Sequence, residues 1–138
     1  MEHTCGKAVQ AVEHTCGKAV QAVEHTCGKA VQAELRPLGR ALREKIPDVY
    51  AAYRDLHSAA MGPGALDPKV KELVAVALAV GAQCDGCIAS HTRAAALSGA
   101  TPEEVAETIA VTFLLCGGPA TVYGARAFAA FMEYRSEP

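Results

Sequence analysis

The chain has 138 residues, of which 51% are hydrophobic, 20% are charged and 5% are aromatic. This hydrophobic content supplies the core of one compact domain and argues against a disordered or fibrous protein. The formal net charge is −2 and no block of basic residues occurs, which argues against nucleic acid and anionic membranes as partners. The chain shows no secretory signal, and its longest apolar run is too short to span a bilayer, so we expect a cytoplasmic protein.

An 11-residue unit, EHTCGKAVQAV, occupies residues 2–33 in almost three identical copies. Its apolar positions recur at steps of four, three and four residues, which favours an amphipathic helix, although each copy also places a glycine inside that helix. The copies lie about 16 Å apart along a helix, too far for their histidines and cysteines to share one metal ion. Those residues are His3, Cys5, His14, Cys16, His25 and Cys27. We assign residues 1–34 to an interaction or spacer arm and residues 35–138 to the domain.

Helix start and stop signals divide the domain into six segments. The first is interrupted by Pro37, the second places Val49, Tyr53 and Leu56 on one face, and the third is apolar nearly all round, which predicts burial. The segments are residues 35–45, 47–61, 67–81, 85–98, 101–116 and 120–134. No segment alternates with a period of two, so the predicted fold is all-α, a bundle of about six helices with an N-terminal repeat helix. Because its many alanines bury little area, apolar faces remain for subunit contacts, and we expect a homo-oligomer.

The reactive side chains concentrate at the start of the fourth segment, where Cys84 and Cys87 are followed by His91. On a helix these three fall within an arc of about 60°, because steps of three and four residues return to one face. A helix N-terminus favours thiolate, and His91 is within reach to take the proton of Cys87. Glu72, in the preceding segment, is a candidate to orient the imidazole or to act as the base. The two sulfurs are able to form a short-loop disulfide, which predicts a cycle of thiol, sulfenate and disulfide.

Other interpretations of these residues are possible. Cys84 and Cys87 with His91 could belong to a structural zinc site, but such sites use four ligands and usually two cysteine pairs. His91 could be a hydrogen-bonded core histidine, and Glu72 an acid favoured by the helix dipole. We assign no role to Cys116, which suits a small buried apolar position, or to His57, which has no partner at a helical spacing.

Glu72, an interval of eleven residues and the run CDGCIASH at residues 84–91 resemble the signature of alkylhydroperoxidase D-like (AhpD-like) proteins of the carboxymuconolactone decarboxylase family. The resemblance extends from about residue 66 to 131 and does not include the repeats. It implies an all-helical fold in trimers or hexamers, and a peroxidase cycle in which Cys87 attacks the hydroperoxide and Cys84 resolves it. Glu72 and His91 would move the proton. No metal or bound cofactor is implied, because an external thiol partner supplies the electrons to the Cys84–Cys87 disulfide.

The sequence departs from this family pattern at Gly86, where the better characterised peroxidases carry a histidine between the cysteines. One alternative is therefore a disulfide reductase, or a family member without efficient peroxidase activity. A second is a zinc-binding or oligomeric scaffold whose repeats bind a partner. The third, a lactone decarboxylase, is disfavoured because that branch of the family works without the cysteine pair.

Overall fold

A computed structural model describes residues 28–135, which form six α-helices. They are α1 (Gly28–Lys45), α2 (Pro47–Met61), α3 (Pro68–Gly81), α4 (Asp85–Leu97), α5 (Pro102–Cys116) and α6 (Gly118–Arg135). Within that range no residue lies in a strand, so the predicted all-α class is confirmed. The first two repeat copies and the start of the third, residues 1–27, lie outside the described residues. The helix predicted for the repeats and the spacing of their histidines and cysteines lie there.

Local capping residues explain where the middle helices begin. The Asp67 side chain accepts a hydrogen bond from the Lys69 backbone N–H at the start of α3. At the start of α5, Thr101 and Glu104 each accept from the other's backbone N–H, which satisfies two donors that a helix N-terminus leaves open. Proline occupies the first turn of α2, α3 and α5, where its missing N–H costs nothing.

Helix α1 differs from its prediction in two ways. Pro37 lies inside α1 and does not interrupt it. The residue four positions earlier, Ala33, is exposed, so water can take the place of the donor that proline lacks. The helix also starts earlier, at Gly28, and runs unbroken across residues 34 and 35, where the sequence suggested a division between arm and domain. That division stays a prediction.

The end of the third repeat copy packs on the domain, which explains the early start of α1. Gly28 and Val31 are buried, and Gln32 Nε2 donates to the carbonyl oxygen of Ala89 in α4 at 3.0 Å. The Lys29 backbone N–H donates to Glu133 in α6. These tertiary contacts stabilise a helical turn that starts at a glycine.

The core lies between α3, α4, α5 and α6. Its largest fully buried side chains are Val76, Val80, Thr92, Val105 and Phe131. Small residues let the helices approach closely: a Cβ added at Gly124 of α6 would lie 2.5 Å from Ile109 Cγ2 of α5. Thr92 is satisfied within its own helix, since its hydroxyl donates to the Ile88 carbonyl oxygen at 2.7 Å.

Helix α3 is not buried all round, so that prediction was wrong. Val76, Ala79 and Val80 are buried, but Val74 and Leu78 on the other face are 50% and 69% exposed. An apolar helix that covers a core on one side presents its remaining apolar side chains outward when no further layer packs there.

Helix α2 lies at the edge of the molecule and has no buried residue. Its predicted apolar face exists, and Val49, Tyr53 and Leu56 on it are exposed. The C-terminal end of α2 is held by Lys71 of α3, whose Nζ donates to the carbonyl oxygens of Ala60 and Gly62. No helix in the described residues is long and apolar enough to cross a membrane.

Candidate redox site

The cysteine pair lies where the chain turns from α3 into α4. Cys84 is the residue immediately before α4, in an extended conformation, and its Sγ accepts a hydrogen bond from the Cys87 backbone N–H at 3.2 Å. The two sulfur atoms are bonded to each other as a disulfide, with the Cα atoms 5.2 Å apart. Cys87 is exposed, whereas Cys84 is partly buried. The structure therefore brings together the two predicted thiols in their oxidised form, with Cys87 open to a reactant.

The other two predicted residues meet beside the pair. Glu72 of α3 and His91 of α4 are hydrogen-bonded to each other, with 2.8 Å between Oε2 and Nδ1. Their side chains are only 12% and 23% exposed, so the contact is shielded from water. An ionised carboxylate only accepts hydrogen bonds, which assigns the proton to Nδ1 and leaves the lone pair on Nε2. The arrangement suits a histidine that takes a proton through Nε2 while Glu72 stabilises the resulting imidazolium.

A second histidine, missed by the sequence analysis, contacts this pair. The ring of His57, from α2, stacks on that of His91 with 6.2 Å between centroids and 21° between planes. The two residues are far apart in the sequence, and no periodicity links them. Only the packing of α2 beside α4 reveals the contact.

An arginine was missed for the same reason. Arg126 of α6 lies beside Asp85, with Nη1 3.3 Å from Oδ2 and 3.4 Å from Oδ1, and its guanidinium lies 4.8 Å from the Tyr123 ring centroid. Asp85 directly follows Cys84, and its negative charge disfavours a thiolate nearby. The positive charge of Arg126 offsets that effect.

Gly86, the position at which the sequence departs from the family peroxidases, is covered by α1. A Cβ added there would lie 2.7 Å from Leu35 Cδ1, so any side chain at this position has to displace Leu35. A histidine between the cysteines would therefore need a different position for the Leu35 side chain.

Residues 28–135 contain no group of three or more histidine, cysteine or acidic side chains placed to hold a metal ion. Cys116 is a free, partly buried cysteine at the end of α5.

Comparison with known proteins agrees with this fold. A crystal structure of a carboxymuconolactone decarboxylase family protein from Legionella pneumophila, in its apo form, superposes with a TM-score of 0.74 at 37% identity, covering 77% of this chain and 95% of that one. An uncharacterized protein of Cupriavidus necator is 41% identical over 85 residues, 62% of this chain and 75% of that protein. An uncharacterized protein encoded in the cox locus of Paracoccus denitrificans is 37% identical over 82 residues, 59% of this chain and 74% of that protein.

The family model for the carboxymuconolactone decarboxylase family matches residues 47–130, a range that includes the cysteine pair, Glu72, His91 and His57 but none of the repeats. The family predicted from the sequence is thereby confirmed: the chain belongs to the carboxymuconolactone decarboxylase family.

Proposed function

We propose that the protein is a thiol-dependent oxidoreductase in which Cys84 and Cys87 alternate between a dithiol and a disulfide. The observation that carries this proposal is the disulfide at the start of α4, adjacent to the shielded Glu72–His91 pair. A thiol reacts as thiolate, so a neighbouring base and a helix N-terminus are the features that such a site requires. Family membership is compatible with this chemistry.

The cycle that fits these residues best reduces a hydroperoxide. His91 takes the proton of the Cys87 thiol, and the thiolate attacks the outer oxygen of ROOH, whose O–O bond breaks. Cys87 becomes a sulfenic acid, and the leaving alkoxide takes the proton from His91 to form ROH. The Cys84 thiol then displaces water from the sulfenic acid and closes the disulfide. An external thiol protein would return both cysteines to the reduced form, as expected in a reducing compartment such as the cytoplasm.

A second candidate is the reduction of a disulfide substrate by the same pair. Two features favour disulfide reduction. Cys87 is exposed, and Gly86 stands where a family peroxidase has a histidine between the cysteines, so that histidine is not present to assist the reaction with a hydroperoxide. The two reactions use the same dithiol and differ only in the bond that Cys87 attacks.

Peroxide turnover and thiol titration test the proposal together. Reduced protein should lose two thiols for each equivalent of hydroperoxide, and turnover should continue when an external thiol is supplied. Cys87→Ser should abolish turnover, whereas Cys84→Ser should leave a sulfenic acid that a dimedone label traps. Cys116→Ser is the matched control and should keep the wild-type rate. Unchanged turnover in Cys87→Ser would contradict the assigned attack.

The lactone decarboxylase alternative makes the opposite prediction for the cysteines. If the protein decarboxylates a lactone without redox chemistry, Cys84→Ser and Cys87→Ser should both keep full activity on a lactone substrate. Loss of redox turnover in these variants, with no lactone consumed by the wild type, would support the oxidoreductase.

A further inference from the structure

A groove of about 260 Å³ runs between α1 and α4 beside the cysteine pair. Its α4 side is formed by Gly86, the residue before Cys87, and by Ser90, one helical turn further on. On the α1 side lie Arg36, Gly39 and Arg43. Cys87 does not itself line the groove, but it directly follows Gly86 in the chain.

The wall of this groove is positively charged although the whole chain is not. Arg36 and Arg43 are seven residues apart, two helical turns, and therefore share one face of α1. Helix α1 carries five basic and two acidic side chains, whereas the chain has a net charge of −2. Within residues 28–135 neither Arg36 nor Arg43 forms an ion pair with a carboxylate, and Arg43 lies 5.2 Å from the Tyr50 ring centroid. Both guanidinium groups are available to an anionic ligand.

Two glycines and Leu35 also line the groove. Nothing lies within 4 Å of a Cβ added at Gly39, so the surface is open at that position, whereas Leu35 covers Gly86. The Ser90 hydroxyl adds a hydrogen-bonding group, and none of the residues that line the groove is acidic. A guanidinium binds a carboxylate through two parallel hydrogen bonds, so two arginines suit a ligand with two carboxylates.

We propose that this groove binds a small disulfide that bears carboxylates, with Arg36 and Arg43 holding the carboxylates and one substrate sulfur placed at Cys87. The inference rests on the second form of the proposed function, disulfide reduction by the same cysteine pair, and names its substrate class. The Cys87 thiolate attacks one sulfur of RSSR, the S–S bond breaks, and RS⁻ leaves and takes the proton that His91 received from Cys87. The Cys84 thiol then attacks the mixed disulfide, releases the second RSH and forms the Cys84–Cys87 disulfide. The substrate gains two electrons and two protons, which the protein dithiol loses.

Two aromatic disulfides of similar reactivity separate binding from chemistry. One is 5,5′-dithiobis(2-nitrobenzoate), which carries two carboxylates, and the other is 4,4′-dithiodipyridine, which is neutral at pH 8. The reaction is followed by stopped-flow absorbance with the full chain, reduced beforehand. Serines replace the four cysteines outside the pair, which are Cys5, Cys16, Cys27 and Cys116.

The variant that removes both arginines, Arg36→Gln with Arg43→Gln, should react about five- to tenfold more slowly with the dianionic reagent at low salt, because an exposed charge pair contributes up to about a factor of five. Its rate with the neutral reagent should not change. High salt should remove most of the difference, since it screens exposed charges. Arg40→Gln is the matched control: it removes a charge from the same helix at a residue that does not line this groove, and should have at most a small effect.

Equal rates of the double variant and the parent with the dianionic reagent would overturn the groove assignment, and so would an equal slowing with both reagents. Both results leave the redox proposal intact as long as the parent reacts rapidly with the neutral reagent. A parent that reacts with neither reagent would overturn the redox proposal and with it the substrate class.

Discussion

Two carboxylates lie close to the cysteine pair and have opposite effects on it. Glu72 contacts His91 and stabilises the imidazolium that forms when the histidine accepts a proton. Asp85 lies between the cysteines in sequence, and its charge is offset by Arg126. In the proposed cycle the reactivity of Cys87 therefore depends on two contacts, Glu72 with His91 and Asp85 with Arg126. Single substitutions can separate their effects.

The first residue-scale prediction concerns Glu72. Glu72→Gln keeps the size of the side chain but removes the charge that supports a protonated His91, so reaction of the reduced protein with hydroperoxide should slow at least tenfold, within the range typical of general acid–base catalysis. The measurement is the single-turnover rate of Cys87 oxidation as a function of pH. Glu107→Gln, at an exposed position on α5, should leave the rate unchanged. A wild-type rate in Glu72→Gln would remove Glu72 from the proton relay.

The second concerns the Asp85–Arg126 ion pair. Arg126→Gln leaves the Asp85 charge uncompensated beside Cys84, and the reduced pair should react about two- to fivefold more slowly with a neutral disulfide, as expected for a partly exposed charge pair. Asp85→Asn combined with Arg126→Gln should restore the rate, because it removes the negative charge as well. If the double variant is as slow as the single one, Arg126 acts through packing on Tyr123 and not through its charge.

Distance along the chain decided which site residues could be predicted. Cys84, Cys87 and His91 lie on one helix, so their convergence follows from helical geometry alone. Glu72 could be singled out only through its family spacing. His57 comes from α2 and contacts His91, and Arg126 comes from α6 and contacts Asp85. Nothing in the local sequence of either residue indicates these contacts.

At the scale of helices, locally determined features were predicted and tertiary ones were not. The starts of α3 and α5 follow from Asp67 and Thr101, because the capping contacts are formed within a few residues. The start of α1 at Gly28 depends on contacts with α4 and α6, and the exposed face of α3 depends on how many layers surround it. Neither the start of α1 nor the exposure of α3 can be predicted from the sequence of that helix alone.

One contact between helices predicts how stability depends on pH. Lys69 Nζ of α3 donates to Glu104 Oε1 of α5 at 2.7 Å, and Glu104 also accepts from the Thr101 backbone N–H. The hydrogen bond from Lys69 and then that from Thr101 hold the pKa of Glu104 below its ordinary 4.5. A lowered pKa in the folded state contributes stability above the unfolded pKa, and this contribution is lost as pH falls through the folded value.

Glu104→Gln should therefore unfold more easily than the wild type at pH 7, and the two proteins should become closer in stability as the pH falls below about 4. Glutamine still accepts from the Thr101 backbone N–H, so the capping contact is kept and the variant reports on the charge. Urea unfolding followed by circular dichroism measures the free energy of unfolding at each pH. Glu107→Gln serves again as control, and a difference that grows toward acid pH would contradict the assignment.

At the scale of the molecule, many large apolar side chains of the described chain are exposed, and several of them lie together on α2. Val49, Tyr53 and Leu56 on α2 are each more than 60% exposed, and α2 contains no buried residue. Exposed apolar faces that lie together mark contacts with another molecule. The homo-oligomer predicted from the sequence would give these side chains a partner, and it would also place His57, on the same helix, next to a subunit boundary.

If α2 is the subunit contact, one charge on its apolar face should break the assembly. Leu56→Asp places a carboxylate where an apolar interface would exclude water, which costs several kcal/mol when no partner is present. Sedimentation should then change from a multiple of 14.3 kDa for the wild type to the monomer mass. Ser58→Asp adds the same charge to the opposite face of α2, where the side chain is also exposed, and should keep the wild-type mass. Deletion of residues 2–23 removes two repeat copies but keeps the third. If the truncated protein still assembles, the subunit contact lies in the domain. If the deletion dissociates the protein and Leu56→Asp does not, the contact lies in the repeats.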